Sequence, residues 1–201
     1  MVSYASGYKI DFVNKKITQT GMIDIKTDPP DSDIFIDGEK KGIGRVTAKN
    51  LEPKSYYIKV ERNSYHSWSK KFELKGGEAV ILNEVVLFKT NPKIEEFKSD
   101  ANVNTFINLA DTDNLTVSKG EIYQNGQLVT RLSDDIFGVC WYPNRYYIAF
   151  TSNNKLKIIE IDGTNLIDLL EKNSITPIIF INSGHSIIFE NQNKIYKAEI
   201  R

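Results

Sequence analysis

The chain has 201 residues, with 26 lysines and arginines against 26 aspartates and glutamates and a formal net charge of zero. That balance removes the basic excess on which phosphate-backbone binding depends, so no nucleic acid partner is expected. Hydrophobic content of 40% and charged content of 26% suit one or two packed domains, and the single cysteine, Cys140, excludes an intrachain disulfide.

Residues 1–21 form the first segment. Met1-Val2-Ser3-Tyr4-Ala5-Ser6-Gly7 has neither a basic lead nor an apolar core, so it does not read as a signal peptide. No run anywhere in the sequence approaches the about 18 consecutive apolar residues of a spanning helix.

Residues 22–88 form the second block, and its pattern is that of short strands. Met22-Ile23-Asp24-Ile25-Lys26 alternates apolar and polar, as a half-buried strand does. Asp28-Pro29-Pro30-Asp31 ends it, because proline has no amide hydrogen to give a ladder. Asp33 to Ile36 is a second strand that runs into Asp37-Gly38, a hairpin signal. Further strands follow at Val46–Lys49, Tyr56–Val60, Trp68–Leu74 and Ala79–Phe88. No helical period competes, and six or seven strands in so short a block predict a small β-sandwich.

Several of these residues stand where a known family has its motifs. Pro29-Pro30-Asp31-Ser32, Ile34-Phe35-Ile36-Asp37-Gly38, Leu51-Glu52-Pro53, Tyr57-Ile58-Lys59-Val60, Tyr65 with Trp68, and Gly77 resemble the PEGA domain of bacterial and archaeal surface proteins. Asp31-Ser32 replaces that family's Gly-Ala, Ser64 replaces a glycine, and the Thr-Pro expected after Gly42 or Gly44 is missing. Tyr4–Phe12 and Ile17–Gly21 resemble the juxtamembrane stretch that joins a spanning helix to a PEGA domain in envelope proteins. That resemblance implies a membrane helix upstream of Met1 and an extracytoplasmic location. The alternative is that Met1 begins a cytoplasmic protein.

Residues 89–201 carry a repeat. Trp141 pairs with Phe180, Phe150 with Phe189, Leu156 with Ile195 and Ile161 with Ile200, each 39 positions apart. A repeat of that length built from short strands is the pattern of a β-propeller blade. Three units are expected, at about 105–133, 137–171 and 175–201, with Asn125-Gly126 closing a hairpin in the first. They resemble TolB-like and WD40-like blades, although Pro143-Asn144-Arg145 departs from the Pro-Asp-Gly turn and the third unit keeps only Gly184. Leu166–Leu170 sits where the second unit's outer strand belongs and reads as strand or turn. Propellers close with about four to eight blades, so three make an incomplete propeller. The third unit stops at Arg201, before its outermost strand, which predicts a chain that continues or closes by oligomerisation. The fold class expected is therefore all-β, a PEGA-like sandwich followed by about three blades.

Chemistry is sparsely signalled. His66 and His185 are the only histidines, and no Cys/His cluster, nucleophile elbow, phosphate loop or dinucleotide fingerprint occurs. Asp28, Asp31, Asp33 and Asp37 crowd one turn without the spacing of a calcium loop. Cys140, between Val139 and Trp141, reads as a buried and inert thiol. No catalytic residue, metal or cofactor is expected.

The candidate binding surface is the aromatic stretch Tyr57, Tyr65, His66 and Trp68, since aromatic faces stack on sugar rings or fill a partner's pocket. A packing explanation stands beside it. Tyr56, Ile58 and Val60 alternate into the core and Trp68 caps the sandwich edge, leaving Tyr57, Tyr65 and His66 exposed. The function read from these features is a non-catalytic envelope module for a protein partner or a cell-wall polysaccharide. Two alternatives remain: part of a propeller enzyme or sensor whose active face lies in other blades, and an intracellular scaffold.

Overall fold

The alternation at residues 22–26 is the middle of an eight-residue strand, and it sets the layout of everything around it. The computed structural model describes residues 2–5, 7–13, 15–97, 111–171, 178–192 and 194–201. Contacts divide the chain into two units, Met1–Leu87 and Phe88–Arg201. Among the described residues the regular structure is all strand apart from one three-residue 3-10 turn, and no helix is long and apolar enough to cross a membrane.

The first unit begins with an antiparallel meander that the sequence pattern did not assign: β1 (Val2–Ala5), β2 (Tyr8–Asp11) and β3 (Lys16–Gln19). Seven strands follow: β4 (Gly21–Asp28), β5 (Asp33–Ile36), β6 (Glu39–Ile43), β7 (Arg45–Leu51), β8 (Lys54–Glu61), β9 (Trp68–Leu74) and β10 (Ala79–Val86). They make two sheets, ordered β10-β4-β7 and β6-β5-β8-β9, with β4 and β10 parallel and every other pair antiparallel. Ile23 and Ile25 of the first sheet pack with Ile34, Ile36, Tyr56, Ile58, Val60, Trp68 and Leu74 of the second. Each such side chain contributes roughly 1.5–3 kcal/mol by leaving water.

The turn after β4 shows how the local chemistry works. Ser32, wholly buried, donates its hydroxyl to the Pro29 carbonyl at 2.7 Å, satisfying the acceptor that the Pro-Pro step leaves behind. Gly44 donates its amide to the Ser32 carbonyl at φ +67°, where a Cβ would lie 1.9 Å from the Pro30 oxygen. No side chain fits there.

The second unit contains β11 (Lys93–Glu96), then β12 (Leu115–Ser118), β13 (Glu121–Gln124) and β14 (Gln127–Arg131). Next come β15 (Ile136–Trp141), β16 (Tyr147–Ser152), β17 (Lys155–Glu160) and β18 (Ile167–Glu171), and finally β19 (Ile178–Ile181), β20 (Ser186–Asn191) and β21 (Lys194–Glu199). The sheets are β12-β13-β14, β15-β16-β17-β18 and β11-β21-β20-β19. Residues 105–110 of the first predicted unit and 175–177 of the third lie outside the described residues.

The 39-residue repeat reappears as one ladder built twice. Trp141 stands opposite Ile148 and Phe180 opposite Ile187; Ile148 stands opposite Ile159 and Ile187 opposite Ala198. Thr151 faces Leu156 as Glu190 faces Ile195. The turns correspond as well, for Arg145 and Gly184 occupy matching places with φ of 58° and 82°. Arg145 tolerates the left-handed region while its guanidinium grips Asp111 at 2.9 and 3.0 Å and Asp113 at 3.2 Å. At Gly184 the reason for glycine is space, since a Cβ would meet the Tyr142 ring at 2.5 Å.

One expectation is corrected. The outer edge of β21 is not open, because β11, which precedes the other two sheets in the chain, pairs with it through Lys93–Glu96. The amides of Lys89 and Phe97 extend the pairing to the carbonyls of Ile200 and Ile195, at 2.9 and 2.8 Å. The strand escaped notice because Lys93-Ile94-Glu95-Glu96 has a single apolar residue, and its partner lies about a hundred positions away. Hydrogen-bonded pairs alternate along an antiparallel ladder, so the Phe97 bond places Glu95 at a bonded position opposite Lys197. Glu95→Pro is expected to lower the second unit's stability by about 2 kcal/mol and to speed amide hydrogen exchange at Lys197. Unchanged exchange there would mean that β11 does not hold this edge.

Candidate binding surfaces

Strand β8 positions the aromatic candidates. Its even-numbered members Tyr56, Ile58 and Val60 are buried, which turns Tyr57 and Lys59 to the outer face of the sheet. Tyr57 is 48% exposed. Cross-strand register then decides its neighbours: Tyr57 stands opposite Lys71 of β9, and Lys59 opposite Phe35 of β5. Phe35 is half-buried between Ile34 and Ile36, which both point inward. The outer face of this sheet therefore interleaves two aromatics with two lysines.

The β5–β6 turn holds that face in place. Asp37, at φ 50°, donates its amide to the Tyr57 carbonyl at 2.8 Å and accepts the Tyr57 amide on Oδ1 at 2.9 Å. Its Oδ2 takes the Lys54 ammonium at 2.6 Å. The Lys54 hydrogen bond first, and the Tyr57 amide second, hold the Asp37 carboxyl below the usual carboxylate range. The neighbouring acids are engaged separately, Asp33 with Lys40 at 2.8 Å and Asp31 with Arg62 at 2.7 Å. They do not converge on a common centre, and no metal-ligating group of three forms among the described residues.

The four aromatic candidates do not make one patch. Tyr65 and His66 lie in the connection after β8, beyond Glu61, at least four residues or about 13 Å along the strand from Tyr57. Tyr65 is half-buried against the sandwich core with the Arg62 guanidinium 4.6 Å above its ring, and His66 is half-buried. Trp68 falls on the packing side of the two readings. It is 4% exposed, belongs to the core and stacks on Phe72 with centroids 6.4 Å apart. As the first residue of β9 it pairs with inward-facing Val60, so its ring points in too. Phe35, Lys59 and Lys71 were missed because only strand register puts them beside Tyr57.

A concavity of about 370 Å³ opens where the meander meets the sandwich, lined by Gln19, Thr20, Lys49, Asn50 and Glu78 among others. Thr20 and Glu78 already serve the fold there, through bonds to the Gly7 carbonyl and from the Lys75 amide, each 2.8 Å.

In the second unit, Tyr142 sits at the hub of edge-on contacts with Phe88, Tyr147 and Phe180, centroids 5.4, 5.9 and 5.0 Å away. Arg201 donates to its hydroxyl at 2.7 Å. Cys140 is buried, its thiol pointing at the Ile178 carbonyl 3.6 Å away. Burial, helped by the charge of Asp111, pushes that thiol up to about 12. His185 lies on an exposed turn with Nδ1 2.7 Å from the Asn182 carbonyl.

Residues 20–89 match the profile of the PEGA domain. No curated protein matches the chain.

Two outcomes separate surface from core. Trp68→Ala is expected to destabilise the protein by about 3–5 kcal/mol, against within about 0.5 kcal/mol for Tyr57→Ala, as read from urea denaturation; equal losses would overturn the assignment of faces. Cys140 is expected to ignore a thiol reagent at pH 8 in the folded protein and to react fully in denaturant, because the thiolate is the reactive form. Rapid labelling without denaturant would show that the thiol is accessible.

Proposed function

We propose that the chain is a non-catalytic binding module of the cell envelope. In this reading its PEGA-like sandwich offers the outer face of β6-β5-β8-β9 to a wall polysaccharide. The observation that carries it is the exposed ring of Tyr57 standing beside Phe35, Lys59 and Lys71 on a rigid sheet. An aromatic face packs against the C–H face of a sugar ring, and the Lys71 ammonium suits the acidic substituents of wall polymers, while Lys59 is held by Glu61. The PEGA match at residues 20–89 supports the surface location, through the resemblance to envelope proteins.

The second unit reads as a set of propeller-type blades. The constant ladder register at an offset of 39, and the pairing of the last sheet by a strand that precedes the first, both support this reading. Two modules in one chain would then add their contacts by effective concentration.

Co-sedimentation of the purified chain with the source organism's wall fraction tests the proposal. The monomeric chain, its mass fixed by light scattering, is expected to pellet with the wall. Tyr57→Ala together with Lys71→Ala is expected to lower the bound fraction about fivefold to tenfold. A chain that stays in the supernatant, or a double variant that binds like the parent, would remove this face from consideration.

A further inference from the structure

The β2–β3 hairpin of the meander is amphipathic in the reverse of the usual sense. Along β2 and β3, Lys9 stands opposite Thr18 and Asp11 opposite Lys16 on one face, while Ile10 stands opposite Ile17 and Tyr8 opposite Gln19 on the other. The polar face is the one tied to the rest of the unit, for Lys9 forms an ion pair with Glu52 in the β7–β8 connection. On the other face Gln19 lies against Gly77 and Ile10 is half-buried, but toward the hairpin end the apolar residues are turned outward. Ile17 is 67% exposed, and at the hairpin end Phe12 and Val13 are 57% and 75% exposed. A folding unit that had only its own core to satisfy would place these residues the other way round.

The charges around the tip decide what the apolar face meets. Lys15 and Lys16 come two and three positions after Val13 and are exposed, and residues 8–19 hold three lysines against one acid. That acid, Asp11, is drawn into the turn, where its Oδ1 accepts the Val13 amide at 3.0 Å. An aromatic and two branched aliphatics stand exposed at the β2–β3 end of this three-stranded sheet, with ammonium groups beside them. A lipid headgroup layer has the complementary properties: apolar below, anionic above, and soft enough to admit a convex wedge.

We infer that the β2–β3 hairpin is a membrane-surface anchor, inserting Phe12, Val13 and Ile17 at the boundary of an anionic bilayer while Lys15 and Lys16 contact the headgroups. This is separate from wall recognition by the Tyr57 face; the residues differ, and either can fail while the other stands.

The test is sedimentation of the full chain with vesicles of phosphatidylcholine alone and of phosphatidylcholine with about one-third phosphatidylglycerol, at low and high salt. The chain is expected to pellet with the anionic vesicles at low salt, weakly with the neutral ones, and less as salt rises. Phe12→Ser combined with Val13→Ser is expected to weaken partitioning about tenfold or more. Lys15→Glu with Lys16→Glu is expected to do so by a similar factor, with circular dichroism unchanged in both. Three results would overturn the inference. One is equal pelleting with both vesicle types. Another is retention of binding by both variants. The last is a solution mass of two chains that Phe12→Ser with Val13→Ser returns to one, which would make a second copy the occupant of the apolar face.

Discussion

Burial of Ile58 and Val60 beneath Ile23 and Ile25 is the contact on which the first unit depends. Side chains alternate along a strand, so committing these residues to the core commits Tyr57 and Lys59 to solvent without further choice. The register between β5 and β8 places Ile34 opposite Val60 and Ile36 opposite Ile58, and that same register brings Phe35 opposite Lys59. The outer face is thus a consequence of the inner one. A slip of one residue would turn Tyr57 inward and expose Ile58, at a loss of apolar burial along the entire strand.

In the second unit the corresponding constraint is the fit between neighbouring sheets. The ring of Tyr142 lies over Gly184, leaving no room for a Cβ. Its edge also meets Phe88, Tyr147 and Phe180. Leu115, Ile122, Trp141, Ile148, Phe150 and Ile159 form the other packed layer, between the first and second sheets. Where the two repeats share a position, backbone demands coincide and side chains diverge. Arg145 and Gly184 both take a left-handed φ, but only Arg145 has open space, and it uses that freedom to bind Asp111 and Asp113.

The meander of the first unit obeys a different rule. Its link to the sandwich runs through backbone bonds and the Lys9–Glu52 pair, as with the Thr20 amide and hydroxyl on the Gly7 carbonyl at 2.7 and 2.8 Å. Exposed ion pairs add little stability, so hydrogen bonding and the close approach of Gly76 to Gln19 do more to seat it. Phe12, Val13 and Ile17 take no part in that seat and stay exposed.

The sequence by itself determined the all-β class, the strands of residues 22–88 apart from Glu39–Ile43, the resemblance at 20–89 that the PEGA profile matches, the repeat of 39 positions and the inward set Tyr56, Ile58 and Val60. These follow from local alternation, turn residues and spacing, which a chain carries in its order. Tertiary structure alone decided that β11 closes the edge of β21, that Trp68 is core, and that Tyr57 stands with Phe35 and Lys71 rather than with Tyr65 and His66. Each of these depends on cross-strand register between segments distant in sequence, and register is set by how whole faces pack, which no local pattern records.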